Sequence, residues 1–176
     1  GLFDWNGGAK PNKLGDDVIT LGMASDLGNN CAFEVGSTCY TAPFTPKPLT
    51  FAECEAEKSA LGIKYCERDR DYWAGAVKQC KGVSKMPTMA QLGELASQLY
   101  VGNPTIGAKE NKDNIQFDSN SSTAKSLGLT PYFYLWSGEE NGSLSAYGRG
   151  FTTTYSHWND TIFRNNSDIY AVCVGE

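Results

Sequence analysis

Two hydrophobic rhythms divide this 176-residue chain. Between residues 50 and 99 apolar side chains recur at helical spacing, and beyond residue 131 they gather in short aromatic and β-branched runs. Thr50-x-x-Glu53 is a capping box, in which hydroxyl and carboxylate each satisfy an orphan backbone donor, and it predicts a helix to about Leu61 that Gly62 ends. Asp69 or Asp71 can cap a second helix with Tyr72, Trp73, Ala76, Val77 and Cys80 along one face, and Gly82 is its natural stop. Pro87 and Thr88 start a third helix, which carries Leu92, Leu95, Ala96 and Leu99. The runs 131–138, 146–151, 155–160 and 169–174, separated by Gly, Asn and Ser, read as consecutive antiparallel strands. Residues 1–49 are rich in Gly, Asn and Pro around one strand-like run at 17–23, and read as an N-terminal extension to a main domain over 50–176. Residues 101–129 read as a long polar loop. The expected class is α+β, with two to three helices packed on short antiparallel strands.

Composition narrows the partners. A hydrophobic content of 40% with 12% aromatic residues suffices for a core. The net charge of −5 comes without a basic run, which argues against nucleic acid, and no apolar stretch reaches membrane-spanning length. Six cysteines and a single histidine, with no Cys-x-x-Cys pair, point to three disulfides in an exported protein and not to structural zinc. Spacing alone leaves fifteen pairings open, although Cys31 and Cys39 are close enough to close a small loop.

Four segments carry a family resemblance: Trp73 through Cys80; Met86-Pro87-Thr88 with Leu92 and Leu95; Leu135-Trp136-Ser137-Gly138; and Tyr170-Ala171-Val172-Cys173. Together, over about residues 69–176, they resemble the C-type-lectin-like fold, in the compact bacterial form found at the C-termini of collagen-like adhesins and pilus-borne proteins. That pattern has Leu-Pro-Thr before a helix, Tyr-Trp-Ser-Ser in a strand and Val-Arg-Cys-Val at the end. Here Met86 replaces the Leu, Leu135 the Tyr and Gly138 the second Ser, and Ala171-Val172 stands in place of Val-Arg. The resemblance implies a disulfide between Cys80 and Cys173, and a place on a cell surface, pilus or phage particle. It extends to variable proteins diversified by retroelements, whose randomised Asn-type codons cannot become Lys, Glu, Gln, Met or Trp. From Asn141 to Gly175 only Trp158 belongs to that excluded set.

The stretch after residue 140 is also where the candidate chemistry gathers. Tyr147, Arg149, Phe151, Tyr155, His157, Trp158, Asn159, Asp160, Phe163, Arg164 and Asn165 read as a recognition face. Tyr and Trp supply rigid contact area, Arg a planar fork of donors, and Asn adaptable hydrogen bonds. Strand alternation would project Tyr147, Arg149 and Phe151 together, though Tyr147 and Phe151 would serve equally well as core. Trp136 reads as core. Trp158-Asn159-Asp160, with Glu139-Glu140-Asn141 as partner, matches the oxygen-rich sets that bind Ca²⁺ in calcium-dependent lectins. The second motif lacks the usual Pro, and only about seventeen residues separate the two, so no metal site is assigned. For catalysis, His157 has no Ser or Cys partner, and adjacent Glu139 and Glu140 point to opposite faces of a strand. The expected function is therefore non-enzymatic: an exported domain that binds a protein or glycan ligand on another surface, without a cofactor. A structural pilin-like subunit and a calcium-dependent carbohydrate-binding lectin are the alternatives.

Overall fold

The computed structural model describes residues 31–102, 110–111, 116–129, 131–153 and 156–175, with backbone alone at 110–111, 126–127 and 156–160. The strand expected at 17–23 lies outside these residues.

The chain is α+β. Among the described residues, strands β1 (Phe33–Val35) and β2 (Thr38–Tyr40) form a hairpin, followed by helices α1 (Phe51–Leu61), α2 (Tyr72–Cys80) and α3 (Met89–Leu99). Short β3 (Tyr100–Val101), β4 (Glu110–Asn111) and β5 (Gln116–Phe117) then lead to α4 (Ser122–Leu127). Three longer strands close the chain: β6 (Phe133–Asn141), β7 (Ser145–Phe151) and β8 (Ser156–Phe163). The main sheet is antiparallel in the order β4-β8-β7-β6.

Local chemistry sets the helix limits. Thr50 and Glu53 exchange the two capping-box bonds, and Gly62 ends α1 in the left-handed conformation. Asp71 caps α2 by accepting the Ala74 amide at 2.8 Å. Lys81, not Gly82, takes the left-handed position at its end, with φ 70°. Thr88 and Gln91 form a second capping box that opens α3. Nearly all of α2 is buried, and Gly75 explains how: a Cβ there would lie 1.7 Å from the Lys47 carbonyl, so the 47–48 backbone can cross the helix only over a glycine.

Three expectations change. Residues 31–49 are no separate extension: Phe33, Val35, Tyr40, Phe44 and Leu49 are core residues, and Phe44 and Tyr40 bridge to Ala171 and Val174. The segment 169–174 forms isolated bridges instead of a regular strand, one of them parallel between Leu135 and Tyr170. The stretch 101–129 is not a plain loop, since Ser121 caps α4 and β5 pairs with β3.

The main sheet is covered on both faces. Phe133, Leu135 and Phe151 pack with α3 and the β1–β2 hairpin, while Trp136, Ala146 and Ile162 pack with α2 and the C-terminal segment. Each fully buried Phe or Leu contributes roughly 1.5–3 kcal/mol. Disulfides join Cys31 to Cys39, Cys54 to Cys66 and Cys80 to Cys173. The last ties α2 to the C-terminal segment across 93 positions. Three disulfides suit a protein that matures under oxidising conditions. Among the described residues, no helix is long and apolar enough to cross a membrane.

Candidate functional site

Strand β8 places the expected recognition face at the heart of the sheet. Its backbone pairs with β7 through Gly150–His157, Arg149–Trp158 and Gly148–Asn159. Tyr155 lies outside the described residues, as do the side chains of His157, Trp158, Asn159 and Asp160.

The remaining members of that face separate. Arg149, Phe151 and Arg164 are fully buried and are not surface residues. Alternation fails as a guide here because both faces of the sheet are covered, so the shared face of Tyr147, Arg149 and Phe151 points into the aromatic half of the core. Tyr147 is half-buried, and its hydroxyl donates to Asn141 Oδ1 at 3.2 Å. Burial brings the Arg149 guanidinium down to about 10, against a smaller opposing pull from Tyr100. Only Phe163, 67% exposed, and Asn165 stand at the surface. Asn165 donates to Asp69 Oδ2 at 3.3 Å, and the Arg70 amide and then this contact hold the Asp69 carboxyl below the usual range.

Arg164 is instead a structural centre. Its Nε donates to Asp71 Oδ1 at 3.2 Å and its Nη2 to Asp71 Oδ2 at 2.8 Å. Nη2 also reaches the Tyr65 carbonyl at 2.9 Å, while Nη1 reaches Glu140 at 3.0 Å and the Gly142 carbonyl at 2.8 Å. All five guanidinium donors are thereby used, and the guanidinium lies 4.5 Å from the centre of the Trp73 ring. Asp71 accepts the Glu67 and Ala74 amides as well, and Glu140 those of Lys64 and Tyr65. One cation therefore fixes the end of β8, the start of α2, the 64–65 segment and the β6–β7 turn.

The same geometry bears on calcium. Glu139 accepts the Met89 amide at 2.7 Å, at the first turn of α3, and Glu140 holds Arg164 and two amides. A cation there would compete with these partners, most of all at Glu140, both of whose oxygens are already engaged. No group of three or more His, Cys, Asp or Glu side chains among the described residues is placed to hold a metal.

Beside Phe163 lies a groove of about 470 Å³, lined by Tyr134, Thr161, Ile162, Phe163, Asn166, Asp168 and Ile169. Apart from Phe163, none of these residues was among those expected. Gly148 and Gly150 were the available signal, because glycines inside a strand mark a close approach. A Cβ at Gly150 would lie 2.5 Å from the Tyr134 ring, and one at Gly148 2.6 Å from Ile162. The two glycines thus seat both groove residues on β7.

Compared with protein-family models, curated proteins and solved structures, the chain matches none.

Proposed function

We propose that this chain is an exported, non-enzymatic ligand-binding domain of C-type-lectin-like fold, displayed on a cell surface, pilus or particle. It recognises a protein or glycan on another surface through β8 and the turn that follows it. One observation carries the reading: an exposed aromatic side chain, Phe163, adjoins a groove and sits next in sequence to the fully buried Arg164, whose guanidinium makes five hydrogen bonds. Rigid aromatic groups on a fixed backbone lose little entropy on binding, which makes such positions effective anchors. The recognition set becomes Tyr155, His157, Trp158, Asn159, Asp160, Phe163 and Asn165, with Arg149, Phe151 and Arg164 as the scaffold behind it.

Alanine at Tyr155, Trp158 and Phe163 should abolish adhesion of the displayed domain to target cells while leaving its melting temperature within a few degrees. Retained adhesion by the triple variant would place recognition elsewhere and favour a structural subunit. A calcium-dependent lectin is the reading that Glu139 and Glu140 oppose, since both serve the fold. Millimolar Ca²⁺ should therefore leave the melting temperature unchanged, and a clear rise would restore the calcium reading.

A further inference from the structure

The groove beside Phe163 has a chemistry of its own. Ile162 and Ile169 form its buried side, Tyr134 is half-buried, and Phe163, Thr161 and Asp168 are exposed around it. Among the described residues, two aromatic rings thus share one lining with one carboxylate, and no Lys, Arg or His contributes to it. The Asp168 carboxylate makes no ion pair among the described residues. Its backbone N–H donates to Asn166 Oδ1 at 2.8 Å, which fixes the turn that carries it. The Tyr134 ring cannot retreat towards β7, because it already occupies the space a Gly150 side chain would fill.

These features select among ligands. An anion would be repelled by the Asp168 carboxylate. A neutral apolar group would partly desolvate Asp168 and return nothing for it. A cation gains from both parts of the lining, by a charge-assisted contact with Asp168 and by attraction to the faces of aromatic rings. A volume of about 470 Å³ exceeds what a single ammonium group fills and suits a long side chain with part of its backbone.

We propose that this groove binds a basic side chain, the ammonium of a lysine or the guanidinium of an arginine, presented by a partner protein. Asp168 supplies the countercharge, and Tyr134 and Phe163 the ring faces. The proposal rests on the recognition reading above, and it specifies the partner as a protein with an exposed basic residue.

The test uses the full disulfide-bonded chain with blocked tripeptides of sequence Gly-Lys-Gly, Gly-Arg-Gly and Gly-norleucine-Gly, and methyl glucoside as the neutral sugar, followed by amide NMR. The lysine or arginine peptide should shift the amides of residues 161–169 saturably in the millimolar range, and the norleucine peptide should not. Asp168→Asn and Phe163→Ala should each weaken the basic peptide at least fivefold with melting temperature unchanged, and added salt should weaken it further. Equal binding of the norleucine peptide, preferential binding of the sugar, or no saturable shift would each overturn the proposal. The adhesion assay separates the two readings. If Asp168→Asn leaves adhesion intact while alanine at Tyr155 and Trp158 abolishes it, the cation site falls and the recognition reading stands. If the basic peptide binds with the expected sensitivity while the alanine variants still adhere, the groove stands and the recognition reading falls.

Discussion

The two faces of the main sheet are closed by different means. On the side of α3, closure is aromatic: Phe133 stacks on Phe151 at 4.6 Å, Phe33 on Tyr40 at 4.9 Å, and Phe117 meets Tyr100 edge-on at 5.6 Å. On the side of α2, closure adds long-range covalent and ionic ties, through Cys54–Cys66, Cys80–Cys173 and the Arg164 ion pairs, whereas the Cys31–Cys39 disulfide on the α3 side closes only the β1–β2 hairpin. Aromatic packing can readjust to changes in side-chain volume, whereas an ion pair with fixed donors or a disulfide holds one arrangement. The fixed half lies behind residues 161–169, the part of the chain proposed to meet a partner. A binding segment gains affinity when its backbone is ordered in advance, and the asymmetry of the core does that ordering.

The comparison can be broken from either side. Replacing Cys80 and Cys173 together by alanine should have the largest effect, about 4–5 kcal/mol by loop entropy for so long a loop, read as a fall in the urea midpoint. Arg164→Met should follow at roughly 3–5 kcal/mol, because it strands two carboxylates in or near the interior. It should also speed proteolysis near residues 64–65 and 142–144, the segments that Arg164 holds. On the aromatic side, Phe151→Leu should cost only about 1.5 kcal/mol and leave a single cooperative transition, checked by thermal unfolding. If Phe151→Leu proves as costly as Arg164→Met, the distinction between the halves fails.

The smallest effect concerns alkaline pH. Burial, with Glu94 adding repulsion, pushes the Tyr40 phenol well above its ordinary 10.0. Above about pH 10 the unfolded chain loses this proton while the folded chain keeps it, so stability falls as pH rises, by about 1.4 kcal/mol per pH unit for this one group. Tyr40→Phe should flatten the stability profile above about pH 10 by that slope and change it little near neutrality. An unaltered alkaline limb would show that Tyr40 ionises as freely in the folded state as in the unfolded one.

Local signals in the sequence proved reliable where the backbone answers to its neighbours. Thr50 with Glu53, and Asp71 as one of two candidate caps, were legible because an N-cap acts within three residues. The sheet order and the burial of Arg149 and Arg164 were not. A strand of alternating character gives no sign of whether its second face is solvent or another layer, so the same Tyr-x-Arg-x-Phe run suits a recognition face or a core. Arg164 was illegible for a related reason, since its partners Asp71 and Glu140 lie 93 and 24 positions away. Only the glycines at 148 and 150 hinted at the groove, by marking where side chains from neighbouring strands press close.

Arg164 also sets a limit on the variation this domain can accept. It stands inside the stretch from Asn141 to Gly175 that would vary if the chain were a diversified protein, yet its five donors are committed to Asp71, Tyr65, Glu140 and Gly142. Sister chains could exchange Thr161, Phe163, Asn165 or Asp168 and keep their shape, whereas any that lost Arg164 would lose the frame that presents those positions. A library built on this scaffold should therefore be drawn as separate windows on either side of residue 164, not as one continuous segment.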